Sequence, residues 1–98
     1  MSKVLDPEGA HLAALRRLAD FRGARVIEVG CGDGRLTPGI AADAATVLAF
    51  DPDVDAVAVA KTALPEELAK RVVFRVSSAV DLEIPRSEID IVVFSWSL

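Results

Sequence analysis

The sequence predicts an α/β fold, a three-layer, doubly wound parallel sheet of about four strands with flanking helices. Three observations lead there. Short β-branched runs recur along the chain, helix-spaced segments separate the first three of them, and a glycine-rich turn directly follows the first. Strands alternating with helices at this spacing form βαβ units with right-handed crossovers, and their ligands sit outside the carboxyl ends of the strands.

Each element has its own reason. Leu12, Leu15 and Leu18 recur every three residues, so 8–20 reads as an amphipathic helix with Pro7 suited to its first turn and Gly23 to its exit. Val26, Ile27 and Val29 make 25–29 a short buried strand that runs into Gly30, Gly32 and Gly34. Residues 35–44 read as a helix, since Pro38 is tolerated in a first turn and alanines follow. Thr46 to Phe50 form a second strand closed by Asp51, and Val57, Lys61 and Leu64 give 54–64 helical spacing after an Asp-Pro-Asp entry. Residues 65–70 continue it briefly after a break. Val72 to Val76 form the third strand, 77–87 a long loop and 89–94 the fourth strand, apolar on both faces as a strand inside a parallel sheet should be. Nothing else in the reading pairs the outer edge of that last strand, so the chain is expected to self-associate there.

The composition narrows the function classes. Ninety-eight residues make one domain, and a hydrophobic share of 52% excludes a disordered chain. No apolar run approaches the roughly 20 residues that cross a bilayer. One cysteine forms no internal disulfide and no thiolate zinc site by itself, which makes a reducing cytoplasm the expected location and no metal the expectation. Residues 1–50 hold six basic and six acidic side chains and 51–98 five and nine, so the net charge of −4 resides in the second half. Such a balance gives no support to a nucleic-acid footprint, which needs a basic patch.

The chemistry lies at the strand ends. Glycines 30, 32 and 34 imply a turn with unusual backbone angles, open to a ligand that passes close to the main chain. Glu28 precedes that turn, and Asp51 stands at the end of the next strand, where a carboxylate can accept from both hydroxyls of a ribose. A dinucleotide would bring the pattern GxGxxG, whose third glycine falls on Arg35 here, and Glu28 would repel a pyrophosphate while favouring an ammonium or sulfonium. A nucleoside that carries positive charge fits better. Asp51 could instead cap the following helix, although Asp53 is better placed for it. Cys31 reads as a small residue in a tight turn, not a nucleophile. Trp96 suits either the core or a pocket wall.

Val26-Ile27-Glu28-Val29-Gly30-Cys31-Gly32-Asp33-Gly34 resembles motif I of the class I S-adenosylmethionine-dependent methyltransferases, and Phe50-Asp51-Pro52-Asp53 resembles the end of their second strand. Residues 77–82 and 89–98 resemble, more loosely, the loop after the third strand and motif IV. The resemblance implies a Rossmann-like sheet with S-adenosyl-L-methionine as cofactor. It implies that Gly30, Cys31 and Gly32 pass along the methionine part, Glu28 sits near its amino group, Asp51 holds the ribose, and Pro52 lies against the adenine. Ala79 would offer its N–H to the adenine, Ser95 would line the methionine end, and Ser78 stands where an aspartate is common in the family. The family sheet has seven strands, so 1–98 reads as a partial methyltransferase domain, with 1–24 an N-terminal helical segment and 25–98 the βαβ core. The half that supplies the acceptor pocket is missing, and no residue is identified as catalytic. The expected partner is a small-molecule methyl acceptor; the other readings are a segment of a nicotinamide-dinucleotide oxidoreductase and a non-catalytic cofactor-binding fragment.

Overall fold

The computed structural model of the chain describes residues 3–5, 17, 19–77 and 86–95. Five strands form one sheet: β1 (Lys3–Leu5), β2 (Arg25–Val29), β3 (Thr46–Asp51), β4 (Val72–Val76) and β5 (Ile91–Phe94). Their spatial order is β1-β5-β2-β3-β4, and every neighbouring pair is parallel. Helix α1 (Thr37–Asp43) joins β2 to β3, helix α2 (Val54–Ala63) and a 3₁₀ segment (Glu66–Arg71) join β3 to β4, and a 3₁₀ turn (Arg86–Glu88) precedes β5.

From residue 25 onward, the expected strands and helices stand within two residues of where the sequence put them. Of the expected N-terminal helix, only Arg17, Ala19 and Asp20 fall within the described residues, and Arg17 is helical. Pro38 sits in the first turn of α1. Asp53 caps α2, its side chain accepting from the N–H groups of Asp55 and Ala56 at 3.0 and 3.1 Å.

One expectation is overturned. The outer edge of β5 is paired, since Lys3, Val4 and Leu5 lie opposite Ile91, Val92 and Val93. Residues 3–5 therefore belong to the sheet and not to a helical segment spanning 1–24, and the basis for self-association through this strand disappears. Short-range periodicity could not reveal β1, because three residues have no pattern of their own and the partner lies at the far end of the chain.

Side chains alternate across the sheet with a period of two, which sorts the core into two layers. On one face Val26, Val47, Ala49, Val72, Ile91 and Val93 pack with Ile40 and Ala41 of α1 and with Phe21. The other face gathers Ile27, Val29, Phe50 and Ile89, with Leu48, Val92 and Phe94 partly buried around them. The amino ends of β2 and β5 are tied together: Arg25 donates through its backbone N–H and Nε to Asp90 Oδ2 at 2.8 and 3.1 Å, and through Nη2 to Asp90 Oδ1 at 3.2 Å.

Candidate functional site

The alternation that builds the core also assembles the site. Glu28 follows Val26 by two, Asp51 follows Ala49 by two and Ser95 follows Val93 by two, so all three acidic or hydroxyl side chains leave the sheet on the α1 face at its carboxyl edge. The turn between β2 and α1 crosses directly above them. Gly30, Gly32 and Gly34 have φ of 74°, 57° and 82°, which is why this turn needs glycine. Gly34 serves packing as well, since a Cβ there would stand 2.8 Å from the Cβ of Ala60 on α2.

Glu28 is fully buried, with 0% of its surface exposed. Its Oε1 accepts from Thr37 Oγ1 at 2.5 Å and its Oε2 from Ser95 Oγ at 2.6 Å. Burial raises its pKa above the ordinary carboxylate value, against the two hydroxyl hydrogen bonds that act to lower it. Thr37 is itself fully buried. Sequence reasoning missed it, because its bond to Glu28 spans a strand, a turn and a helix start; the one signal was a hydroxyl residue just ahead of Pro38.

The main chain of the turn is already engaged. The N–H groups of Gly30 and Cys31 both donate to Phe50 O at 2.8 and 3.1 Å, and that of Gly34 to Cys31 O at 3.0 Å. Gly32 N–H donates to Asp51 Oδ2 at 3.0 Å, while Asp51 Oδ1 accepts from Asp53 N–H at 2.9 Å. Asp51 is thereby fixed against the turn, and each of its oxygens keeps a lone pair for a further donor. Cys31 is buried, and its thiol is pushed up to about 12, first by desolvation and then by Glu28 and Asp51. A thiol held protonated is no nucleophile, as the sequence reading expected.

Between turn, strand ends and α2 lies a cavity of about 310 Å³, lined by Glu28, Cys31, Gly32 and Asp51 with Ser95, and by Asp33, Arg35, Leu36, Asp53 and Ala56. The last five extend the site beyond the residues expected. Asp33 and Arg35 are exposed and also border the cavity. Pro52 is exposed and stands outside the lining among the described residues, and Gly30 contributes its turn rather than a wall. Ser78, Ala79 and Trp96 lie outside the described residues. A larger hollow, about 500 Å³, is bordered by Arg25, Thr46, Lys70, Val73 and Ile89 at the amino ends of the strands. It has neither the turn nor the converging acids, and ligands of open parallel sheets bind at the carboxyl ends, so the smaller cavity is the candidate site. Among the described residues no group of His, Cys, Asp and Glu could hold a metal ion, and no helix is long and apolar enough to cross a membrane.

Four acids, Glu28, Asp33, Asp51 and Asp53, face one guanidinium across this cavity. With the N–H groups of Gly30, Cys31, Gly32 and Gly34 spent internally, the turn has little to offer a phosphate, whereas a hydroxyl-bearing cation meets acceptors on two sides. Gly32, buried at positive φ, sets no Cβ in the way of a ligand that passes the backbone. The residues present fit an S-adenosylmethionine-type ligand.

Comparison with known proteins agrees. The chain is 39% identical over 62 residues to magnesium-protoporphyrin O-methyltransferase from Rhodobacter capsulatus, a match covering 63% of this chain and 28% of that protein. Its fold is similar to an RNA methyltransferase from Salinibacter ruber solved with S-adenosyl-L-homocysteine (TM-score 0.73, 27% identity, 85% of this chain and 55% of the other). It is also similar to magnesium protoporphyrin IX methyltransferase from Synechocystis PCC 6803 with bound SAM (TM-score 0.68, 26% identity, 85% and 39%). The chain thus spans 28% of the curated relative and between 39% and 55% of these two structures. A family model described as a methyltransferase domain matches residues 26–98, from the first residues of the glycine-turn strand through the last sheet strand, and the chain belongs to that methyltransferase-domain family.

Proposed function

We propose that residues 1–98 are the cofactor-binding part of an S-adenosylmethionine-dependent methyltransferase that acts on a small-molecule acceptor. The observation that carries the reading is Asp51, pinned by Gly32 N–H and Asp53 N–H at the carboxyl edge of the sheet with acceptor capacity directed at the cavity. It would accept from the ribose hydroxyls, while Glu28 and Ser95 border the place for the cationic methionine end. When bound, the cofactor supplies an activated methyl group on sulfur. The chain's own part is to hold the nucleoside against the turn and to keep the methyl-bearing end next to an acid-lined wall, since transfer depends mainly on orientation and exclusion of water.

A small acceptor accords with the acidic balance of the chain and with what the magnesium-protoporphyrin relatives are named for, and the cytoplasm accords with a single, reduced cysteine. A nicotinamide dinucleotide is disfavoured by the engaged turn N–H groups and by Glu28. Calorimetric titration of the chain with S-adenosylhomocysteine and with NAD tests the reading: binding of the first without the second is expected. Binding of NAD alone, or of neither, would overturn it in favour of the oxidoreductase segment or a fragment without a ligand.

A further inference from the structure

The seat of Glu28 is unusual for a buried carboxyl. Both oxygens are bonded to hydroxyls, from Thr37 at 2.5 Å and Ser95 at 2.6 Å, and among the described residues no cation or backbone N–H bonds them. A hydroxyl both donates and accepts, so the same pair can satisfy a carboxylate by donating twice, or a carboxylic acid by accepting its proton on one side. No buried side-chain polar atom among the described residues lacks a partner, so the seat is complete as it stands. It works in both protonation states. A backbone N–H or a guanidinium would have fixed the charged form.

Other groups around the cavity decide which state an empty seat prefers. From the turn come Asp33, the neutral Cys31 thiol and Arg35; from β3 comes Asp51; from the entry to α2 comes Asp53; α1 contributes Thr37 and the end of β5 Ser95, neither charged. Asp33 and Arg35 are both exposed, so water screens their fields. Among the described residues the remaining charged groups at the cavity are the acids Asp51 and Asp53, which oppose a further negative charge at Glu28, and burial acts in the same sense. An ammonium or sulfonium entering the cavity reverses that balance.

The geometry points to Thr37 and Ser95 as positioning residues that seat Glu28 as a neutral acid in the ligand-free chain and as a carboxylate once a cationic ligand enters, so that ligand binding expels a proton. The inference rests on the proposed cofactor site and adds a linkage to it. A ligand that releases a proton on binding gains affinity as pH rises toward the point at which free Glu28 would ionise by itself. Selectivity for a cationic nucleoside follows, because a neutral analogue cannot draw the proton off.

The experiment is isothermal titration of the full chain with S-adenosylhomocysteine, whose amino group is protonated, in pairs of buffers of different ionisation enthalpy at a series of pH values upward from the ordinary carboxylate range. Up to one proton released per ligand is expected, with the release fading as pH rises through the raised value of Glu28. Glu28→Gln should bind with an enthalpy that does not depend on the buffer. Thr37→Val and Ser95→Ala each remove a bond that favours the carboxylate, so the release should persist to higher pH; Thr37→Ser should restore the parent profile. Binding with no buffer dependence in the parent chain would overturn the linkage and leave the cofactor reading intact. An unshifted profile in a folded Thr37→Val would overturn the positioning roles. Absence of binding in the parent would overturn the cofactor reading itself.

Discussion

At the scale of single residues, Asp51 and Glu28 divide the work between fixed and variable charge. Asp51 is held by two backbone N–H groups and faces the cavity. Hydrogen bonds to a charged acceptor are each worth about 1.5–3 kcal/mol. At about 1.4 kcal/mol per decade, Asp51→Ala should weaken S-adenosylhomocysteine binding by at least tenfold. A loss below about threefold in a folded variant, measured by calorimetry, would remove Asp51 from the ribose. Glu28 affects stability with the opposite sign from an ordinary carboxylate. Its folded pKa is raised above 4.5, so the folded chain holds a proton that the unfolded chain gives up. The stability it contributes is therefore complete below about 4.5 and is lost as pH rises through the raised value. Glu28→Gln should flatten that decline and melt higher than the parent at alkaline pH in the ligand-free state; parallel melting curves across pH would contradict it.

At the scale of elements, legibility in the sequence followed the range of the interaction. Strands β2 and β4 were readable because β-branched runs bounded by glycine or by charge need no tertiary information, and α2 because Asp53 caps it within three residues. Of the candidate site, Glu28, Asp51 and the glycine turn were readable from spacing. Thr37 was not, nor was the closeness of α2 to the turn, since both depend on how two elements meet. Gly34 shows this best: its φ of 82° and its distance from Ala60 make it the contact on which α2 rests. Gly34→Ala should cost about 1–3 kcal/mol in chemical denaturation, from a strained backbone and a displaced helix. A neutral outcome would mean that α2 shifts freely. The Arg25–Asp90 fork is likewise an element-level device, setting the register between β2 and β5. The Arg25 side chain and its backbone N–H hold Asp90 down to about 2, below its ordinary 3.8. The stability from this pair is thus present above 3.8 and is lost as pH falls through about 2. Asp90→Asn should lower the urea midpoint at neutral pH, and the gap to the parent should close in acid; a gap that persists at pH 2 would assign the effect to packing.

At the scale of the whole molecule, the sheet ends in β4 on one side and in β1, which covers β5, on the other. Strand β4 exposes Val73 and Val76, 53% and 48% accessible, and places the exposed Arg75 between them, a charge that discourages docking of another strand. Strand β5 is protected by β1 alone among the described residues. Deleting residues 1–5 should therefore expose the row of β5 N–H and C=O groups and drive self-association, seen in sedimentation across a concentration series as a rise in mass that the parent does not show. A monomeric deletion variant would indicate another cover for that edge.

The place of β5 between β1 and β2 also dictates an order of assembly. Strand β5, the last of the five in sequence, occupies an inner position, and β1, the first of the five, pairs with β5 alone among the described residues. Lys3 meets Ile91 across almost the full length of the chain, whereas β2, β3 and β4 join through short local crossovers. Closing so long a loop is the slowest kind of contact to form, so the β2–β3–β4 unit should be structured while both flanking segments are still unfolded. During synthesis β1 must wait for β5, and pulsed hydrogen exchange should find the amides of β3 protected well before those of β5.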